Sequence, residues 1–242
     1  MKYAIQVCES VEELEACVRL QQEIWGYSER EAYPVRLLVN LMRVGGNALG
    51  AFTPENEIVG FAISMPGWRG RRRYFHSLAL GVRGGHENQG IGKALKLAQR
   101  KIALEQGIDL IEWTFDPLRA KNAFFNIERL GALAREYVAD YYGQVESRFQ
   151  FGLPSDRLIA QWHLNSARVA RVIAGGPART LKKRAAAEIE IPSHLDALHT
   201  AEAGRPLEWQ ARVRGQFQRW LAKGRVVTGF RRGPEASHFL LD

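Results

Sequence analysis

The run from Leu78 to Leu95 constrains the chain most. Leu78-Ala79-Leu80-Gly81-Val82 reads as a buried strand, Gln89-Gly90-Ile91-Gly92 as a turn carrying glycines, and Lys93-Ala94-Leu95 as the start of a helix. The apolar residues Ile91, Leu95, Ala98 and Ile102 recur at helical spacing, which places Lys93, Lys96, Arg100 and Lys101 on other faces. The glycines therefore lie at a helix N-terminus, where the first N–H groups lack intrahelical partners and the macrodipole turns its positive end outward. Such a corner suits an anion such as a pyrophosphate, and glycine admits it close to the backbone. Two familiar phosphate loops do not fit. P-loop spacing would need glycine at position 87 and a hydroxyl at 94, which are Glu87 and Ala94, and the dinucleotide fingerprint would need glycine where Leu95 stands. What remains is G-x-G after a strand.

With 242 residues and 46% apolar content, the chain can bury a sizeable core as one domain with an appendage or as two small ones. No apolar run approaches the roughly 20 residues needed to cross a bilayer, and Met1-Lys2-Tyr3-Ala4-Ile5 lacks the apolar core of a secretory peptide. Cys8 and Cys17 have neither metal spacing nor a C-x-x-C arrangement, so the expectation is a reducing cytoplasm, with no disulfide scaffold and no metal. Basic charge is concentrated late: residues 166–242 hold 14 Lys/Arg against 7 Asp/Glu, most of the net +8. These charges are spread out among Val, Trp and Phe, which favours a solvated face over a nucleic-acid or membrane surface.

Taken in order, Tyr3 to Val7 reads as a strand, and Ser10 with Glu13 forms a capping box opening a helix through Trp25. Pro34 opens a helix from Val35 to Val44, and strands Ala48–Phe52 and Glu57–Ser64 flank the turn Thr53-Pro54-Glu55-Asn56. Trp68 to Arg73 joins the second of these to Tyr74–Val82; its arginines read as solvated turn charges. Beyond the glycine helix, Leu110–Phe115 is a short apolar strand, stopped by Asp116-Pro117 and favouring a parallel neighbour. Leu118–Leu130 reads as one helix ended by Gly131, followed by strands Ala132–Val138 and Arg157–Leu164. The tail has its own pattern. Lys182-Lys183-Arg184 reads as a linker, Glu188–Ile191 as a strand, Leu207–Ala222 as a helix with Val213, Phe217, Trp220 and Leu221 on one face, and Arg225–Phe230 as a strand paired with His238–Leu241.

The G-x-G after Leu80-x-Val82 resembles the coenzyme-A loop, R/Q-x-x-G-x-G/A, of the GNAT acyltransferase superfamily, and the element order from Tyr3 to Leu164 resembles the GNAT fold. Position 87 is Glu where that family prefers Arg or Gln. Trp113-Thr114-Phe115-Asp116-Pro117-Leu118, Asn122 to Asn126, Leu130-Gly131-Ala132 and Gly152-Leu153-Pro154-Ser155-Asp156-Arg157 resemble one subgroup of predicted acetyltransferases. The resemblance implies an α/β fold, a GNAT-type mixed sheet flanked by helices, over residues 1–164, with a basic α/β extension over 165–242. It also implies N-acyl transfer from acetyl-CoA or another acyl-CoA to a small-molecule or peptide amine. A second reading is a non-catalytic GNAT-fold binding module that acts through its tail, and the tail could instead supply a homodimer contact.

By resemblance, Leu80, Gly81 and Val82 line the acyl and pantetheine arm, and Gln89, Gly90, Ile91, Gly92, Lys93 and Ala94 hold the pyrophosphate. Asn122 and Phe125 face the pantetheine. Aligning on Leu130-Gly131 puts Ile127 where the family often carries a tyrosine acid. Acyl transfer needs a deprotonated amine, and the titratable groups placed near the strand ends are His76 and Asp116, with Tyr141 and Tyr142 as weaker proton donors.

Overall fold

The computed structural model describes residues 2–179, 184–201 and 204–242, so Lys182 and Lys183 of the expected linker lie outside the described residues. The chain divides into two compact units, residues 1–112 with 146–148, and residues 113–145 with 149–242.

The first unit contains strand β1 (Ala4–Val7), helices α1 (Val11–Trp25) and α2 (Val35–Arg43), strands β2 (Asn47–Phe52), β3 (Ile58–Arg69) and β4 (Arg72–Val82), helix α3 (Ile91–Glu105) and the start of β5 (Leu110–Phe115). Its strands lie in the order β1-β2-β3-β4-β5. The first four are antiparallel and β5 runs parallel to β4. Local chemistry sets the helix boundaries: the Ser10 hydroxyl accepts the Glu13 N–H at 3.2 Å, while the Glu13 carboxylate accepts the Ser10 N–H. Gly26, at φ 69°, ends that helix. Helices α1 and α2 cover one sheet face, packing Leu14, Leu20, Leu38 and Leu41 on Phe61 and Ile63. Helix α3 covers the other, packing Ile91 and Leu95 on Leu49, Val59 and Ala62. Two covered faces explain why every residue of β2 is buried.

Strands β3 and β4 are longer than the sequence predicts, reaching Arg69 and starting at Arg72. They also carry a bulge. Ile63 pairs with Ala79 and Ser64 with Ser77, which leaves Leu78 as an extra residue. The bulge changes the alternation of side chains along β4: Ser77 faces α3, Leu78 and Ala79 both pack in the α1/α2 core, and Leu80 and Val82 return to the α3 side.

The second unit holds the end of β5, helix α4 (Ala120–Phe124), a π-helical turn (Phe125–Arg129), β6 (Leu133–Val138), β7 (Arg157–His163), α5 (Ala167–Ile173), β8 (Ala187–Pro192), α6 (Leu195–Ala201), α7 (Arg205–Ala222), β9 (Val227–Arg231) and β10 (Ala236–Leu241). The single helix expected over Leu118–Leu130 is thus corrected to one α turn followed by a π turn. The Leu130 N–H reaches back to the Phe125 carbonyl, and the widened turn lets the consecutive residues Asn126 and Ile127 both point inward. Asn126 accepts the Trp113 indole N–H at 3.2 Å.

Strands here lie in the order β7-β6-β9-β10-β8, with β9 paired to β6 at Val227 and Ala134. The tail is therefore built into this unit. Phe217 of α7 stacks on Tyr137 of β6 at 5.4 Å and meets Phe239 of β10 edge-on at 5.2 Å. Val213 and Phe217 are buried as the helical face predicts, whereas Trp220 and Leu221 are only half-buried.

Candidate active site

The glycine loop lies between β4 and α3 in the first unit. Gly90 is the N-cap of α3 at φ 86°, where a side chain would be strained, and no side chain caps the helix. The Ala94 N–H already donates to the Gly90 carbonyl, so the N–H groups of Ile91, Gly92 and Lys93 are the ones without an intrahelical acceptor. No acidic residue stands in the first turn. This end of α3 is a fixed positive corner for an anion.

The loop is held from its far side. Tyr3 donates its hydroxyl hydrogen to Gln89 Oε1 at 2.9 Å and packs edge-on against His86, while Gln89 Nε2 donates to the Gly85 carbonyl. Lys2 also reaches Gln89, at 3.0 Å. Gln89 therefore serves loop geometry in this structure. Arg83, at the exit of β4, pairs with Glu23 at 3.1 Å and with Glu57. Glu87 is exposed in the loop.

Within this unit β4 pairs with β5 at Phe75–Ile111 and His76–Glu112, and Ser77 to Val82 follow along β4. That stretch, Ser77 to Val82, contains the predicted Leu80, Gly81 and Val82. A side chain at Gly81 would come within 2.8 Å of Ile24 and 2.9 Å of Phe61, so contact with α1 and β3 explains that glycine.

His76 pairs with Glu112 on β5 and with Met65 on β3. Burial pulls its pKa below the ordinary 6.5, Glu112 opposes that and Lys96 adds to it, which leaves the imidazole neutral near pH 7. Glu112 is buried and receives both Arg69 nitrogens, at 3.0 and 2.8 Å. Arg69 and Arg72 are exposed, as expected of turn charges, yet each has an acidic partner: Arg69 caps the buried Glu112, and Arg72 pairs with Asp109 at 3.0 Å.

Lys96 departs furthest from the helical reading. It is 1% exposed and donates to Ser77 Oγ at 2.7 Å and to Gln99 Oε1 at 3.1 Å. Burial lowers its pKa to about 7. Below that value both folded and unfolded chains carry the proton and the native state bears the full cost; as pH rises toward 10.5 only the unfolded chain holds it, so the cost fades. Lys96→Met is therefore expected to stabilise the protein at pH 7 by about 1–3 kcal/mol, with the difference from the unmodified chain shrinking toward pH 9.5. Urea unfolding at several pH values measures this.

The remaining predicted residues belong to the second unit. Asp116 Oδ1 accepts the Leu118 N–H at 2.8 Å, and Arg119 stands 3.8 Å from Oδ2. Burial raises the Asp116 pKa against the opposing charges of Arg157 and Arg119. Asn122 is exposed on α4, Phe125 is half-buried and Ile127 is fully buried. Tyr141 and Tyr142 are both exposed, and the Tyr142 hydroxyl lies 2.8 Å from Thr114 Oγ1.

Residues 14–132 match the model of the Acetyltransferase (GNAT) family. The chain carries a GNAT-family domain. Solved structures agree on its fold. One from Desulfovibrio desulfuricans, assigned to the GNAT family, is 18% identical with TM-score 0.55, covering 67% of this chain and 99% of that one. The ribosomal-protein-S18-alanine N-acetyltransferase from Escherichia coli is 14% identical with TM-score 0.52, covering 68% and 96%. Arabidopsis thaliana NAA60, solved in complex with acetyl-CoA, is 13% identical with TM-score 0.53, covering 66% and 99%. No curated protein matches the sequence.

Proposed function

We propose that the protein is an N-acyltransferase that moves an acyl group from acetyl-CoA or another acyl-CoA directly to an amine. The observation that carries this reading is the uncapped α3 N-terminus following a strand whose pairing with β5 includes a neutral histidine. The names of similar structures support it, since one binds acetyl-CoA and another acetylates an alanine amine. Residues 165–242 are taken as an extension to an acyltransferase domain over residues 1–164.

In this scheme the Ile91, Gly92 and Lys93 N–H groups hold the pyrophosphate, and the pantetheine lies along Ser77–Val82, where backbone donors polarise the thioester carbonyl. His76 takes the proton from the attacking amine. Nitrogen bonds to the carbonyl carbon, the C–S bond breaks, and coenzyme A leaves as a thiolate without an acid, to be protonated afterwards by water. His76 is preferred over Asp116 because Asp116 Oδ1 is engaged in holding its own turn.

His76→Gln is expected to lower kcat by about a hundredfold with little change in acetyl-CoA affinity. Because a base works only when unprotonated, activity should fall as pH drops through the His76 pKa, placing the acid limb below 6.5. Glu112→Gln, which removes the charge that raises this pKa, should move the limb lower still. Coenzyme A release measured between pH 5 and 9 tests both; a limb unmoved in His76→Gln would reassign the base.

A further inference from the structure

On the α1/α2 face of the first unit there is a cleft of about 280 Å³ that the proposed chemistry does not use. Leu37, Leu41 and Val44 line it from α2 and its C-terminal cap, Met65 from β3 and Leu78 from β4, while Tyr33 and Asn40 are its only polar residues. None of the described residues that line it is charged. Several of its walls are unusually exposed for apolar residues, with Val44 at 67% and Met65 at 42%.

Its position follows from the strand geometry. Ser77 turns toward Lys96 on α3, so its neighbours His76 and Leu78 turn to the opposite face. Met65 lies directly across from His76 and shares that face. Two walls of the cleft therefore flank the proposed base, one across the ladder and one along the strand.

We propose that this cleft seats an apolar side chain of the acceptor, so that the acceptors are amines carrying a compact aliphatic or aromatic group next to the nitrogen. This rests on the acyltransferase reading above. A dry cavity of about 150 Å³ admits a benzene ring, so the cleft has room for a phenyl or branched alkyl group with its linker. A polyamine would have to strip water from a second ammonium with no carboxylate in the cleft to receive it. A second copy of the chain is a poorer occupant, because stable interfaces take roughly 20–30 residues a side and the cleft offers a concave surface of seven.

The chain has three methionines, Met1, Met42 and Met65, so methyl-labelled full-length protein gives few signals, and Met65→Leu identifies the one in the cleft. Titration with 2-phenylethylamine or isoamylamine should shift the Met65 methyl saturably, whereas ethanolamine and spermidine should leave it in place. Val44→Asp should weaken the response at least tenfold without altering the heat of acetyl-CoA binding. A Met65 methyl that stays silent while acetyl-CoA binds, or that responds equally to spermidine, overturns the cleft assignment. Self-association that Val44→Asp abolishes would overturn it in favour of a second copy. Absence of acetyl-CoA binding to the unmodified protein would instead overturn the acyltransferase reading on which the acceptor role rests.

Discussion

Gly92→Val is expected to weaken acetyl-CoA binding by at least about a hundredfold while leaving the unfolding transition close to that of the unmodified protein. Gly92 is in the first turn of α3 and, unlike Gly90, is not held at positive φ. The backbone there is open to any residue, so a valine is conformationally acceptable and, away from a ligand, costs little. What a valine does change is distance. Its branched side chain stands over the N–H groups of the first turn and keeps a phosphate from reaching them. A hundredfold loss corresponds to about 2.7 kcal/mol, in the range of one or two charge-assisted bonds. Isothermal titration with acetyl-CoA, paired with urea unfolding, reads both halves; unchanged affinity would remove the pyrophosphate site from this corner.

Arg214→Met is expected to destabilise the second unit by about 3 kcal/mol. The guanidinium of Arg214 bonds both oxygens of Asp156, at 2.8 and 2.7 Å, and the Asp156 side chain is fully buried. Tyr137 and the Asp140 N–H complete the set around that carboxylate. Removing the arginine strands a buried charge, and this costs more than the pair contributes over an apolar replacement. Arg214 is partly exposed, which keeps the figure at the low end. The double variant Asp156→Asn/Arg214→Met should recover part of the loss, and a double-mutant cycle in urea measures the coupling. Truncation after Leu164 removes Arg214 and β9 together, leaving β6 an open edge and Asp156 without its cation. We expect aggregated protein from it.

Regular backbone with local signals was legible. Ser10 with Glu13 marks the start of α1, and the periodicity after Gly92 marks α3, because caps and apolar spacing act within one turn. Lys96 escapes that periodicity for the same reason. The stripe Ile91, Leu95, Ala98, Ile102 explains one face, but Lys96 and Gln99 fill a second inward face, whose polar partner Ser77 lies 19 residues away in sequence. Glu112 stands inside an apolar strand, where a carboxylate flanked by Ile111 and Trp113 must find a cation, and Arg69 supplies it from 43 residues away. The π turn at Phe125–Arg129 was hidden because its cause is the inward demand of both Asn126 and Ile127, a property of packing.

In the proposed scheme, the fastening of the glycine loop to Tyr3 ties coenzyme affinity to the order of the chain's first strand. β1 is four residues long and lies at an edge of the sheet, paired only with β2 among the described residues. Whatever frays it also releases Gln89 and His86, and the loop must then be ordered again at the expense of binding. Amide exchange in β1 should slow when acetyl-CoA occupies the loop, so that a short edge strand reports, through a tyrosine hydroxyl, whether the coenzyme is bound.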